Sequence, residues 1–221
     1  RELFMVRIFL SNMELNEGIR SRQKLIGILK EVFRKSIHLC SAFVPSLLSV
    51  WYMPVMALLF AALVLYSVSE FLRMTGHPVP VVSSITAAAA RKRDENKFVL
   101  GPVTLVSGII ASSILWQPLA SSIGIYALAF GDGLASLSGK LFGKAHIPLT
   151  GGKTAEGSLT CFAAIFISSF VACVSSGIEN SSSVALVIAS VGMIIELLPL
   201  KDFDNILIPV LLGGISQSLL F

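Results

Sequence analysis

Long apolar blocks separated by short polar segments organise this chain. Near the beginning, Leu25, Ile26, Leu29, Val32 and Phe33 recur at helical spacing between Lys24, Lys30, Glu31 and Arg34. This predicts an amphipathic helix lying in a membrane interface within residues 1–35. The next apolar run, Ile37 to Leu72, is too long for one crossing and is punctuated at Trp51 to Pro54, which suits an interfacial turn and a helix start. It reads as two spans. A polar segment, Arg73 to Lys97, precedes a third span over Phe98 to Trp116, and Gln117 and Pro118 form a minimal turn. The fourth span, Leu119 to Phe142, is interrupted at Gly131, Asp132 and Gly133, the pattern of a bent or broken transmembrane helix. After a glycine-rich loop from Gly143 to Gly157, three more spans are predicted over Ser158 to Ser175, Ser183 to Leu198 and Ile206 to Leu220.

The expected fold is therefore all-α: a polytopic integral membrane protein of about seven transmembrane helices plus the interfacial helix, with residues 36–221 as one catalytic domain. Composition agrees, since 54% of the 221 residues are apolar and 14% are charged, against about 25% charged in soluble domains. Charge placement sets the orientation. The connections at 51–54, 117–121 and 176–183 contain no Lys or Arg, so all 17 basic residues fall on one side, which the positive-inside rule makes cytosolic. The N-terminal segment is then expected inside and the C-terminus opposite. The first apolar stretch, Leu3 to Leu10, is broken by Arg7 and predicts no secretory signal peptide. Cys40, Cys161 and Cys173 sit in apolar runs without ligand spacing and are assigned no chemistry.

On this threading the ionisable residues that interrupt apolar sequence share one depth. His38 opens the first span, Glu70 closes the second, Asp132 lies toward the inner end of the fourth and Glu196 closes the sixth, while Asp202, Asp204 and Asn205 introduce the seventh. Charges beside transmembrane helices are costly and tend to mark functional sites. Reaching for headgroups accounts equally well for Glu70 and Glu196, and His38 alone reads as a helix-end residue. Asp132, short-stemmed between two glycines, is harder to explain that way.

The run FGDGLASLSGKLFGKAHIPLTGGKTAEGS, from Phe130 to Ser158, suits an anionic nucleotide with a metal. Glycines let backbone N–H groups approach phosphates, Lys140, Lys144 and Lys153 supply positive charge, and Asp132 or Glu156 offers a carboxylate to Mg²⁺. The helix beginning at Thr154 to Ser158 presents its positive end to the same region. Gly151-Gly152-Lys153-Thr154 is not a Walker A loop, because Ile147 stands where the first glycine is required. The competing explanation of Gly139 and Gly143, spaced G-x-x-x-G, is a helix-packing seam.

This run resembles the CTP-dependent lipid kinases, the family of dolichol kinase, phytol and farnesol kinases and the yeast-type diacylglycerol kinase. The resemblance rests on Gly131-Asp132, Ala135-Ser136, Gly139, Gly143, Pro148, Lys153-Thr154 and Glu156-Gly157-Ser158, with Arg34-Lys35 and His38 before the first span and Glu196, Asp204-Asn205 and Pro209 near the last turn. It implies that Gly131 to Ser158, with Gly133 and Ser136, holds CTP and Mg²⁺, that Asp132 is the indispensable carboxylate, and that the acceptor is a membrane lipid alcohol. The implied reaction is transfer of the γ-phosphoryl group of CTP to a polyprenol, isoprenoid alcohol or diacylglycerol. Asp132 is the expected metal ligand, with general base as a second role. Lys153 and Lys144 are expected on phosphates, and Glu70, Glu196, Asp204 and Asn205 in the metal or cytidine site. Two rivals stand beside it: a cytidylyltransferase that forms a CDP-lipid, and a small cation-coupled transporter. The sequence points to no nucleic-acid partner and does not indicate an oligomer.

Overall fold

A computed structural model describes residues 22–23, 25–90, 94 and 97–221. Most of the 1–35 segment and the charged residues Arg91, Lys92, Arg93 and Glu95 therefore lie outside the described residues. Among the described residues the fold is helical with no strand; an isolated bridge pairs His146 with Thr154.

Helix α1 covers residues 25–40 and runs through a 3₁₀ turn, Ser41–Phe43, into α2, Val44–Val50. Pro45 explains the tightened turn, because it lacks an N–H and crowds the carbonyl one turn back. Trp51, at φ −133° and ψ 64°, leaves the helical conformation and separates α2 from α3, Tyr52–Met74. The polar segment after it contains an element that hydrophobic blocks did not predict, α4, Pro80–Ala89, started by Pro80 in its first turn. Then follow α5, Gly101–Leu115, and α6, Pro118–Tyr126, which continues through a π-helical stretch, Ala127–Asp132, into α7, Gly133–Phe142. The interruption expected at Gly131 to Gly133 is thus a widened helical turn rather than a break. Helices α8, Ala155–Ser175, α9, Ser181–Leu197, and α10, Asp204–Leu220, complete the chain.

Among the described residues four helical segments are long and apolar enough to cross a membrane: 52–74, 118–142, 155–175 and 201–220. Helices α5 and α9, at 15 and 17 residues, reach only about 22–26 Å against a hydrocarbon core of about 30 Å. Their outward faces are nonetheless apolar, as are those of the longer helices: Leu58, Leu65 and Phe71 on α3, Leu159 and Ile167 on α8, and Ile114 and Leu115 on α5 are all exposed. So much bare apolar surface is that of a helical membrane protein rather than a soluble one.

The buried axis is α6 with its π-helical continuation. Ala120, Ile123, Ile125, Ala127, Leu128 and Ala129 are wholly enclosed by α5, α8, α9 and α10. Close backbone approach holds α5, α6 and α10 together. Pro209 inside α10 has no N–H for the carbonyl of Asn205, and α5 packs against that carbonyl at Gly108, where a Cβ would stand 2.1 Å from the Asn205 oxygen. Ser112 donates to the Pro209 carbonyl at 3.1 Å and the Trp116 indole to Val210 at 2.9 Å.

Gly108→Ala should therefore force α5 and α10 apart and cost about 1–3 kcal/mol or more, whereas Gly27→Ala, whose added carbon meets nothing within 4 Å, should not. Thermal unfolding of the detergent-solubilised protein distinguishes the two; equal melting of both variants would contradict this packing.

Candidate functional site

The π-helical stretch ends on Asp132, a carboxylate that is 4% exposed inside an apolar bundle. A buried carboxylate needs compensation, and α1 supplies it. Lys35 donates its ammonium to Asp132 Oδ2, and its side chain is itself 2% exposed. His38 Nδ1 lies 3.2 Å from the same oxygen, without the alignment of a hydrogen bond and with no other partner. One turn earlier, Glu31 accepts from Arg34 on Oε1 and from Lys140 of α7 on Oε2 at 2.7 Å. Glu31, Arg34, Lys35 and His38 follow i, i+3, i+4, i+7 spacing, so they form one polar face. Leu25, Ile26, Leu29, Val32 and Phe33 are exposed on α1, which agrees with the amphipathic pattern. Burial alone would raise the Glu31 carboxyl, but Arg34, with Lys140 and Lys35, reverses this and holds it below its ordinary value.

The loop between α7 and α8 folds back on itself as a short antiparallel pair. Ile147 N–H donates to the Lys153 carbonyl and Ala155 N–H to the Ala145 carbonyl, both at 2.9 Å. Gly151 and Gly152, at φ +74° and +98°, make the reversal. Thr154 caps α8, its Oγ1 accepting from Gly157 N–H at 3.2 Å. Glu156 does not turn toward a ligand; it accepts the N–H groups of Lys144 and Ala145 at 3.0 and 3.3 Å and closes the loop. Lys153 reaches the far side and pairs with Glu196 of α9 at 2.9 Å, while Ser158 donates to the other Glu196 oxygen at 3.5 Å.

Two neighbouring cavities meet at Asp132. The larger, about 740 Å³, is lined by Lys140, Lys153, Thr154, Gly157, Ser158 and Glu196, with Ser136 at its α7 wall. The smaller is a cleft of about 40 Å³ between α1, α5 and α10. Its lining mixes Lys35, His38, Asp94, Asp202 and Asn205 with Ile37, Val99, Pro102 and Leu105. Arg34, Asp132 and Asp204 border both. The sequence-derived site is thus largely assembled, with Asp132 and Asp204 as the carboxylates common to the two spaces.

Several expected residues take other tasks. Glu70 borders neither cavity. Its oxygens accept two bonds from Arg73, at 2.7 and 2.8 Å, and one from the Val99 N–H at 2.8 Å, so it fastens the end of α3 to the approach to α5 and offers no free face to a metal. Lys144 is exposed and borders neither cavity; only its N–H is used, on Glu156. Gly131 and Gly133 pack on Ile165 and Leu39 rather than facing a ligand. Gly139 and Gly143 lie against Thr154, so the seam explanation describes these two. Asn205 borders the cleft, but its amide donates to Thr104 Oγ1 at 2.9 Å and to the Gly101 carbonyl at 3.3 Å. Sequence reasoning missed Glu31 as a site residue; its spacing from Arg34, Lys35 and His38 was the available signal.

Among the described residues no three His, Cys, Asp or Glu side chains converge as a metal cage. Mg²⁺ seldom has one, usually taking one or two carboxylates with substrate phosphates and water. Asp132 and Asp204 on the same cavity wall fit that donor set, although Lys35 now holds one Asp132 oxygen. Comparison with known protein families, curated proteins and solved structures returned no match to this chain.

The Glu31 bridges give a pH test. Because its pKa is depressed in the fold, its stabilisation is complete above the unfolded value, about 4.3, and is lost as pH falls from there through the folded value. Glu31→Gln should be less stable than the parent at neutral pH and lose less on acidification across that window. Parallel loss in the two proteins would contradict the assignment.

Proposed function

We propose that this chain is a membrane lipid kinase that transfers the γ-phosphoryl group of CTP to a lipid alcohol. The observation that carries the reading is the position of Asp132 between a large polar cavity and a small, half-apolar cleft. A phosphoryl transfer between a charged nucleotide and a greasy alcohol needs those two spaces to share one set of charges. The resemblance of the Gly131 to Ser158 run to CTP-dependent lipid kinases supports the donor, and supplies the cytosine.

In this reading Lys153, Lys140 and Arg34 neutralise the nucleotide's phosphates, with the Thr154 to Ser158 end of α8 facing the same cavity. Lys153 and Lys140 exchange Glu196 and Glu31 for phosphate oxygens as the nucleotide enters. The alcohol oxygen bonds to the γ-phosphorus, the bond to the bridging β–γ oxygen breaks, and CDP leaves. Of Asp132 and Asp204, which border both cavities, one would hold Mg²⁺ and the other would receive the hydroxyl proton. Magnesium, when bound, neutralises charge on the transferring group. Lys35 balances the Asp132 carboxylate and would be available to phosphate if a bound cation took over that charge.

The same proposal includes seven crossings, with the N-terminal segment and the site on the cytosolic side. It rests on the concentration of basic residues in alternate connections. A bilayer that thins locally, or helices that end in polar caps, accommodate the short α5 and α9.

Purified protein incubated with γ-labelled CTP or ATP, Mg²⁺ and a panel of polyprenol, phytol, farnesol and diacylglycerol should place label in a lipid and release CDP. Pyrophosphate with a CDP-lipid formed from a lipid phosphate would instead identify a cytidylyltransferase. Asp132→Asn should lower transfer by at least about a hundredfold; transfer at the parental rate would remove Asp132 from the mechanism.

A further inference from the structure

The larger cavity changes chemistry along its lining. Arg34, Asp132 and Asp204 mark the part that it shares with the smaller cleft. Away from them, His146, Thr150, Gly151 and Gly152 of the α7–α8 loop and Leu198 and Pro199 of the connection between α9 and α10 line it, with Lys201 beside them. None of those six carries a fixed charge, and among the lining residues His146 supplies the aromatic ring. The volume of about 740 Å³ falls within the about 300–1,000 Å³ of small-molecule sites, so the space takes a whole organic ligand rather than an inorganic ion.

The two segments are held against each other. A Cβ added at Gly151 would stand 3.8 Å from the Pro199 Cβ, and Lys153 pairs with Glu196 at 2.9 Å. His146 is fixed from both neighbours: the Ala145 N–H donates to Glu156 at 3.3 Å and the Ile147 N–H to the Lys153 carbonyl at 2.9 Å. His146 stands opposite Thr154 in the antiparallel bridge, and opposite residues in such a pair put their side chains on one face. Thr154 is buried and lines the same cavity, so the pairing turns the His146 ring to the cavity side while leaving it exposed rather than packed.

A nucleotide has the same division, since its phosphates bind cations and its flat base stacks on rings. We infer that the α7–α8 loop and the α9–α10 connection form the nucleoside subsite of this cavity, with His146 stacking on the base and Leu198 and Pro199 walling its other side. This rests on the nucleotide reading of the cavity. Stacking tolerates any base, so the subsite separates nucleotides from inorganic polyphosphate and does not by itself choose cytosine.

The test is equilibrium binding of CTP and of inorganic tripolyphosphate, each with Mg²⁺ and no lipid acceptor, to the purified parent, His146→Ala and His146→Phe. The parent should hold CTP more tightly than tripolyphosphate. His146→Ala should weaken CTP by roughly fivefold to a hundredfold and leave tripolyphosphate affinity and melting temperature unchanged, while His146→Phe should keep the parental affinity for CTP. Tripolyphosphate bound as tightly as CTP by the parent, or parental CTP affinity in His146→Ala, would overturn the subsite. Equal weakening of both ligands in His146→Ala would show a charge contact or a structural role and overturn it too, as would a His146→Phe protein no better than His146→Ala. Each of these outcomes leaves the kinase reading to the label-transfer experiment. A parent that binds neither ligand would remove the subsite, and label transfer would then decide the kinase reading alone.

Discussion

A carboxylate buried at the end of the most enclosed helix has to be matched by a cation, and much of this end of the molecule follows from that requirement. Asp132 cannot stand ionised among Ala, Leu and Ile side chains without a partner. Lys35 is that partner, so α1 must lie beside α7, and Glu31, Arg34 and His38 come with it on the same face. The Glu31 to Lys140 bridge then fastens the two helices a second time. Removing either member of the Asp132 pair leaves an uncompensated buried charge, which costs far more than the pair itself contributes.

The glycines and the loop act one step further out. Gly139, Gly143 and Gly157 bring α7 and α8 close around Thr154, and Gly131 admits Ile165 against the π-helical turn. Gly139, Gly143, Thr154 and Gly157 thereby form part of the lining of the cavity of about 740 Å³. Positive charge reaches that cavity from Lys153, Lys140, Lys201 and Arg34, beside the N-terminal end of α8. Lys153 arrives there because the α7–α8 loop reverses at Gly151 and Gly152 and returns alongside itself through the Ala145 to Ala155 and Ile147 to Lys153 bonds.

Helicity, apolar outer faces and the meeting of Asp132 and Lys153 at one cavity were legible in the sequence, because block hydrophobicity and an acid set between glycines are local signals. The roles of the polar residues were less so. Glu70 reads as a stray intramembrane acid until Arg73, one turn later, and the distant Val99 N–H are seen to take both its oxygens. Gly131 and Gly133 read as phosphate-cradling residues until their neighbours prove to be Ile165 and Leu39. Helix α4 lay hidden because a run such as Pro80 to Ala89 is neither long nor strongly periodic. Helix length was the other limit: apolar runs mark where the chain is buried or lipid-facing, but among the described residues four segments have the length to cross unaided.

The proposed function makes one geometric demand: its two substrates would approach Asp132 from different sides, the nucleotide by the cavity at the α7–α8 loop and the alcohol by the cleft at α1 and the start of α5. Photo-crosslinking with an azido-nucleotide and with a diazirine-bearing primary alcohol, followed by peptide mapping, measures this directly. The account predicts nucleotide adducts within 136–158 or near Glu196 and alcohol adducts within 34–38 or 99–105, with each probe's labelling dependent on its own site. Alcohol adducts confined to α8 and α9, or nucleotide adducts confined to the α1 and α5 side, would contradict it.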